Sequence, residues 1–220
     1  MDAQLQVIIN PSHGTCSGNG SSSIVKLKID SIVGDEPMDD QNTELATLAG
    51  GCFWCLDAVY QQVHGVAEVV SGYSGGHVAQ PTYAQVCSET TGHAETVQVT
   101  FDSQIILYRE VLDIFFSIHD PTTLNRQGYD VGASYRSVIF YHTPEQQIAA
   151  SEAIAQLNKA KIWSNPIVTE VAPASTFYPA EDYHQQFYQK DKYQPYCQAV
   201  ITPKLAKFRK EHLDKLKSGV

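Results

Sequence analysis

Leu45-Ala-Thr-Leu-Ala-Gly50-Gly51-Cys52-Phe53-Trp54-Cys55-Leu56-Asp57-Ala58-Val59-Tyr60 passes from strand chemistry to helix chemistry across one cysteine. Leu45 to Ala49 are short and largely apolar, as in a buried strand, and two glycines then permit backbone angles that a side chain forbids. Leu56, Val59, Tyr60 and Val63 repeat at helical spacing, which places Cys52 at or near the first turn. Unpaired N–H groups and the helix dipole favour an anion there. A thiolate is therefore expected, with the thiol titrating at roughly 3.5 to 7.5 instead of about 8.5. The competing reading is an inert cysteine that fills space. The glycines allow a ligand to come close, and Phe53 and Trp54 add apolar surface beside the sulfur, which favours a reactive thiol.

The chain of 220 residues, 43% of them hydrophobic, is long enough for a substantial core, so one domain with extensions is expected. A net charge of −9 argues against a surface that tracks nucleic-acid phosphates, and favours small or protein substrates. No apolar run reaches the length of a membrane span, and Met1-Asp2 opens no basic leader, so a cytoplasmic location is expected. In such a reducing compartment, Cys16, Cys52, Cys55, Cys87 and Cys197 point to redox or metal chemistry before a disulfide scaffold.

Residues 1–43 combine a Gly/Ser run with an acidic segment and read as a flexible extension, with Cys16 incidental and Met38 a possible true start. Residues 44–198 form the expected catalytic domain, and 199–220 a basic helical tail with a solvated face. Within the domain, a strand after Gly65 leads to a glycine-rich loop. Glu95-Thr-Val-Gln-Val-Thr-Phe101 alternates like a half-buried strand and puts Glu95 on the side of Val97 and Val99. A carboxylate on an apolar face needs a reason. An apolar helix is expected over 108–119, a loop over 121–134, a strand over 137–141 and a helix from Pro144 to about Lys161 behind the cap Thr143. A strand over 168–171 follows, and the segment up to Cys197 reads as a loop. Strands separated by helices indicate an α/β or α+β layer fold.

Cys52 and Cys55 form Cys-x-x-Cys at a helix start, the spacing of a dithiol oxidoreductase. A metal-binding module built from Cys52, Cys55, Cys87 and a histidine is a further alternative. Four motifs go beyond both. Gly51-Cys52-Phe53-Trp54, Gly92-His93-Ala94-Glu95, Asp130-x-Gly132-x-x-Tyr135-Arg136-Ser137 and Ala180-Glu181-x-Tyr183-His184-Gln185 closely resemble the A-type peptide methionine sulfoxide reductases. The order and spacing match from about Leu45 to Cys197.

That resemblance implies a two-layer sandwich, a mixed sheet with helices packed on it around a ferredoxin-like core. It also implies reduction of the S epimer of methionine sulfoxide, free or in oxidised proteins. Cys52 is then the nucleophile, Glu95 the proton donor to the sulfoxide oxygen, and Tyr83 and Tyr135 hydrogen-bond donors to that oxygen. Phe53 and Trp54 hold the substrate methyl, and Asp130 lies near the substrate backbone. Each role is chemically apt: a neutral carboxylic acid protonates a poor leaving group, phenols stabilise charge on oxygen, and an aromatic wall grips a methyl group. The resulting sulfenic acid at Cys52 condenses with a second thiol. Cys197, on a loop free to swing in, resembles that resolving residue, and thioredoxin or dithiothreitol then restores the dithiol. No cofactor or metal is needed, and a monomer is expected. The chain departs from the family at Cys55, where glycine is common, which leaves a competing resolver open. It departs again at Tyr129 and Ser134, where asparagine and glutamine are common.

Overall fold

In a computed structural model, residues 42–219 are described. The extension expected over residues 1–43, with Cys16 and Met38, falls almost wholly outside them. The elements run β1 (Thr43–Gly50), α1 (Phe53–Tyr60), β2 (Val66–Ser74), α2 (Tyr83–Cys87), β3 (Ala94–Asp102), α3 (Tyr108–Ile118), β4 (Arg126–Gln127), β5 (Asp130–Val131), β6 (Ser137–Tyr141), α4 (Pro144–Ala160), β7 (Glu170–Pro173), β8 (Tyr178–Pro179), α5 (Phe187–Lys190) and α6 (Thr202–Glu211). The main sheet has the order β7-β6-β1-β3-β2-β8. Its inner strands β6-β1-β3-β2 are antiparallel, and α1 and α3 connect them in the β-α-β-β-α-β order of a ferredoxin-like core. β7 adds in parallel at one edge, which makes the sheet mixed.

Alternation decides which strand residues meet the helices. Ala46, Leu48, Val97, Val99, Phe101 and Ile139 share one core with Leu56 of α1, Leu112 of α3 and Ala153 of α4. The opposite face carries only a small cluster around Ala49, Ala94, Val138 and Phe140. Two layers result, and the chain is α+β. The basic tail helix α6 sends Leu205 and Phe208 into the same main core, while its Lys and Arg face solvent.

Local chemistry explains the element ends. Thr143 caps α4 by accepting from the Gln146 N–H at 3.2 Å, with Pro144 in the first turn. Gly51 has φ +91°, and a Cβ there would meet the Gln127 side chain at 2.5 Å. This turn therefore brings Gln127 of β4 against the start of α1. Two segments differ from expectation. Residues 121–134 contain the β4–β5 hairpin, and Cys197 opens a helical turn, Cys197–Ile201, instead of lying on a loop. No helix among the described residues is long and apolar enough to cross a membrane.

Candidate active site

Cys52 is the residue before α1, with φ −58° and ψ 124°, and is 7% exposed. Cys55, Tyr196 and Glu95 are the groups close enough to its sulfur to influence it. The low-titrating thiol expected from the helix start is not what the site contains. Burial pushes the Cys52 thiol well up, with the Cys55 and Glu95 contacts adding to it. Nor does the helix start offset that burial, because the Phe53 N–H goes to Glu95 Oε2 at 3.0 Å and not to sulfur. The dithiol compensates in part. Cys55 drops to about 7, chiefly because the Cys52 side chain hydrogen-bonds it, so the first proton leaves the pair near neutrality and the second is held by burial.

Glu95 sits opposite Tyr73 in the β2–β3 register and is 2% exposed. Burial is the main cause that lifts its carboxyl to about 8, against the lowering effect of the Phe53 N–H, so the acid is mostly protonated at neutral pH. This has a measurable consequence for stability. Between the unfolded value of about 4.3 and the folded value, the native protein holds a proton that the unfolded chain has lost. The contribution is fully present below the unfolded value and is lost as pH rises through about 8. Denaturant titrations at pH 5 and 9 should show Glu95→Gln escaping a fall on the order of 3–5 kcal/mol that the parent chain suffers. Equal falls in both proteins would mean that Glu95 ionises freely.

Aromatic groups close the site. Trp54 stacks on Phe187 at 3.8 Å and 7°, and its Nε1–H donates to His184 Nδ1 at 3.1 Å. Phe53 packs on His184 at 5.0 Å and Tyr73 at 5.9 Å. Glu181 fixes the other wall, accepting from the Tyr73 hydroxyl and the Tyr83 N–H, both at 2.9 Å. Burial raises Tyr83 and Tyr135, so both stay phenols able to donate. Asp130 Oδ2 accepts from the Tyr196 hydroxyl at 2.8 Å.

Cys52, Phe53, Trp54, Tyr83, Glu95, Asp130 and Tyr135 line one cavity of about 180 Å³, joined by Tyr196. Cys197 does not line it. It is fully buried in the core at the start of its helical turn, so the freely swinging loop expected from sequence is corrected. The hydrogen bond from the Gln198 N–H to the Gln194 carbonyl at 3.0 Å winds that segment up. Cys87, at the end of α2, is exposed. Tyr196 and His184 are functional-site residues that sequence reasoning does not single out. Tyr196 stands next to Cys197 in an aromatic run with no periodicity, and its neighbour to a cysteine was the one available signal. Among the described residues no three His, Cys, Asp or Glu side chains are grouped to hold a metal ion, so the zinc donor set is not assembled. Larger surface hollows of about 490 and 580 Å³, beside Trp163 and Tyr108, contain no thiol.

A buried dithiol, a protonated carboxyl and phenol donors facing an aromatic wall define a thiol-based reductase of an oxygen-bearing, apolar substrate. Residues 44–217 match the model of a family described as peptide methionine sulfoxide reductase. The chain is 60% identical over 174 residues to the peptide methionine sulfoxide reductase MsrA of Saccharolobus solfataricus, covering 79% of this chain and 97% of that one. Its fold is similar to that of Mxr1 from Saccharomyces cerevisiae in reduced form, with a TM-score of 0.66 and 33% identity over 73% of this chain and 92% of the other. It is also similar to methionine sulfoxide reductase A of Corynebacterium diphtheriae, with a TM-score of 0.61 and 32% identity over 70% and 78%. The chain belongs to the peptide methionine sulfoxide reductase family, A type.

Proposed function

We propose that this chain reduces the S epimer of methionine sulfoxide, free or in oxidised proteins, and that Cys52 and Glu95 carry the reaction. The observation behind this reading is one cavity holding a sulfur nucleophile, a protonated carboxyl and an aromatic wall. The Cys52 sulfur bonds the sulfoxide sulfur while Glu95 gives its proton to the oxygen, and Tyr83 and Tyr135 hydrogen-bond the charge that develops there. The protonated oxygen then passes from the substrate sulfur to the Cys52 sulfur as the bond between the two sulfurs breaks, so methionine departs and Cys52 is left as a sulfenic acid. Phe53 and Trp54 place the methyl, the phenols and Glu95 place the oxygen, and Cys52 sets the line of attack; with these three directions fixed, only one epimer can send its remaining carbon out of the cavity. A cavity of about 180 Å³ suits a side chain and leaves the peptide outside, beside Asp130.

Resolution has two candidate partners. The sequence-based expectation is a Cys52–Cys197 disulfide. The place of Cys55 in the same turn, where its N–H donates to the Cys52 carbonyl at 3.0 Å, favours Cys55 for the first step: Cys52–SOH and Cys55–SH give a Cys52–Cys55 disulfide and water. Cys197 then exchanges into that disulfide when its turn unwinds, and the thioredoxin dithiol, or dithiothreitol, takes the oxidising equivalent. No resident cofactor or metal is required by this scheme. A reducing compartment, the cytoplasm, would return the cysteines of this cycle to thiols, and because every residue lining the cavity comes from one chain, a monomer suffices. Cys197→Ser treated with one equivalent of sulfoxide and no reductant should yield a Cys52–Cys55 disulfide by peptide mapping; persistence of free Cys55 would return the first step to Cys197. Assay of each separated epimer, with thioredoxin present or omitted, tests the reaction itself. Consumption of the R epimer alone, or of neither, overturns it.

A further inference from the structure

Outside the groups assigned above, one carboxylate makes an arrangement that needs an account. Glu89 follows α2 with φ +60°, a left-handed conformation that non-glycine residues seldom take. Its side chain crosses to the loop between β5 and β6. Oε2 accepts from the Ser134 N–H at 3.2 Å, and Oε1 accepts from the Ser134 hydroxyl at 2.6 Å. Ser134 is 3% exposed and lies in the turn Ala133–Tyr135. The loop is shaped to receive the carboxylate: a Cβ on Gly132, where φ is +152°, would meet Glu89 Oε1 at 2.2 Å. Asp130 and Tyr135, on either side of this clamp, both line the cavity. Arg136 ties the far end, donating to the Gly92 carbonyl at 3.1 Å and the Ala133 carbonyl at 2.9 Å.

A strained backbone residue whose side chain seizes the turn before Tyr135 is poorly explained as surface chance, since strain of this kind persists where the surroundings demand it. We propose that Glu89 is a positioning residue, its carboxylate clamping Ser134 so that the Tyr135 hydroxyl and Asp130 are held in place for sulfoxide reduction. Ser134 is the reciprocal half of the clamp. The inference rests on the reaction proposed above, in which Tyr135 serves the sulfoxide oxygen.

Glu89→Gly removes the clamp and also relieves the left-handed strain, so it separates aim from stability. With methionine sulfoxide as substrate and dithiothreitol as reductant, Glu89→Gly and Ser134→Ala should each lower kcat about tenfold to a hundredfold, with KM moving much less. Tm of Glu89→Gly should be unchanged or higher. The double variant should be no worse than the poorer single one, as for two halves of one contact. Glu89→Gln, which keeps an acceptor, should recover part of the rate. Amide hydrogen exchange gives a reading independent of turnover: the Ser134 N–H should lose protection in Glu89→Gly. Unchanged kcat, additive losses, or a Ser134 amide as protected as before would each overturn the clamp. A parent chain inactive on methionine sulfoxide would instead count against the proposed reaction, and the exchange result would still decide whether the clamp exists.

Discussion

Glu95→Gln is expected to slow sulfoxide reduction by about a hundredfold to ten-thousandfold, the usual contribution of a positioned general acid. Glutamine keeps the shape and can still accept the Phe53 N–H, so the start of α1 stays in place. What it lacks is a proton to give. The pH dependence makes the argument specific. The first ionisation of the Cys52–Cys55 pair falls to about 7, and Glu95 loses its proton at about 8. Activity should rise as pH increases through the first value, because the Cys52–Cys55 pair must lose one proton before a thiolate is available for attack, and fall through the second, because the acid must stay protonated. The parent profile is thus a narrow bell, and the glutamine variant should keep the acid limb and lose the alkaline one. A general dithiol oxidoreductase acting through Cys52 and Cys55 behaves differently: its disulfide turnover survives the substitution.

Cys52→Ser should lower turnover on the order of ten-thousandfold or more, with no rescue by dithiothreitol. A serine hydroxyl in this buried position does not ionise near neutral pH, and it has no sulfur to take the oxygen from the substrate. Cys52 belongs to the main core between β1 and α1, but the change is nearly isosteric, so folding should be retained. Activity within tenfold of the parent would place the chemistry on another thiol. Cys55 is then the first suspect, being in contact with Cys52 and the more readily ionised of the two.

Much of this site is legible in the chain because period and parity are strong signals. The apolar run Leu45 to Ala49, the two glycines and the helical repeat after Cys52 correctly mark β1 and α1. Strand alternation places Glu95 with Val97 and Val99, and these residues do face the helices. The thiol's environment is harder to read. A helix start is visible in sequence, whereas the closure of Trp54, Phe187, His184 and Tyr196 over it is a tertiary event built from residues more than a hundred positions away. That closure excludes water, which is why Cys52 titrates high and not low. The β4 and β5 strands are two residues each, too short for alternation to register. The segment before Cys197, Tyr193-Gln194-Pro195-Tyr196, is polar and aromatic and reads as loop, which masks the buried apolar repeat Cys197, Ile201, Leu205 and Phe208 that follows. Glu89 offers no local signal at all, because its left-handed backbone is sustained by Ser134 across the fold.

Oxygen bookkeeping in a single turnover is the most direct trial of the account. The variant Cys55→Ser with Cys197→Ser leaves Cys52 without a described resolving partner, so mixing it with excess methionine S-sulfoxide and no reductant should produce one methionine per chain. Mass analysis of the peptide containing Cys52 should then show one added oxygen atom, trapped as sulfenic acid. Methionine formed while Cys52 stays unmodified, or formed by a chain whose Cys52 has first been alkylated, would contradict it.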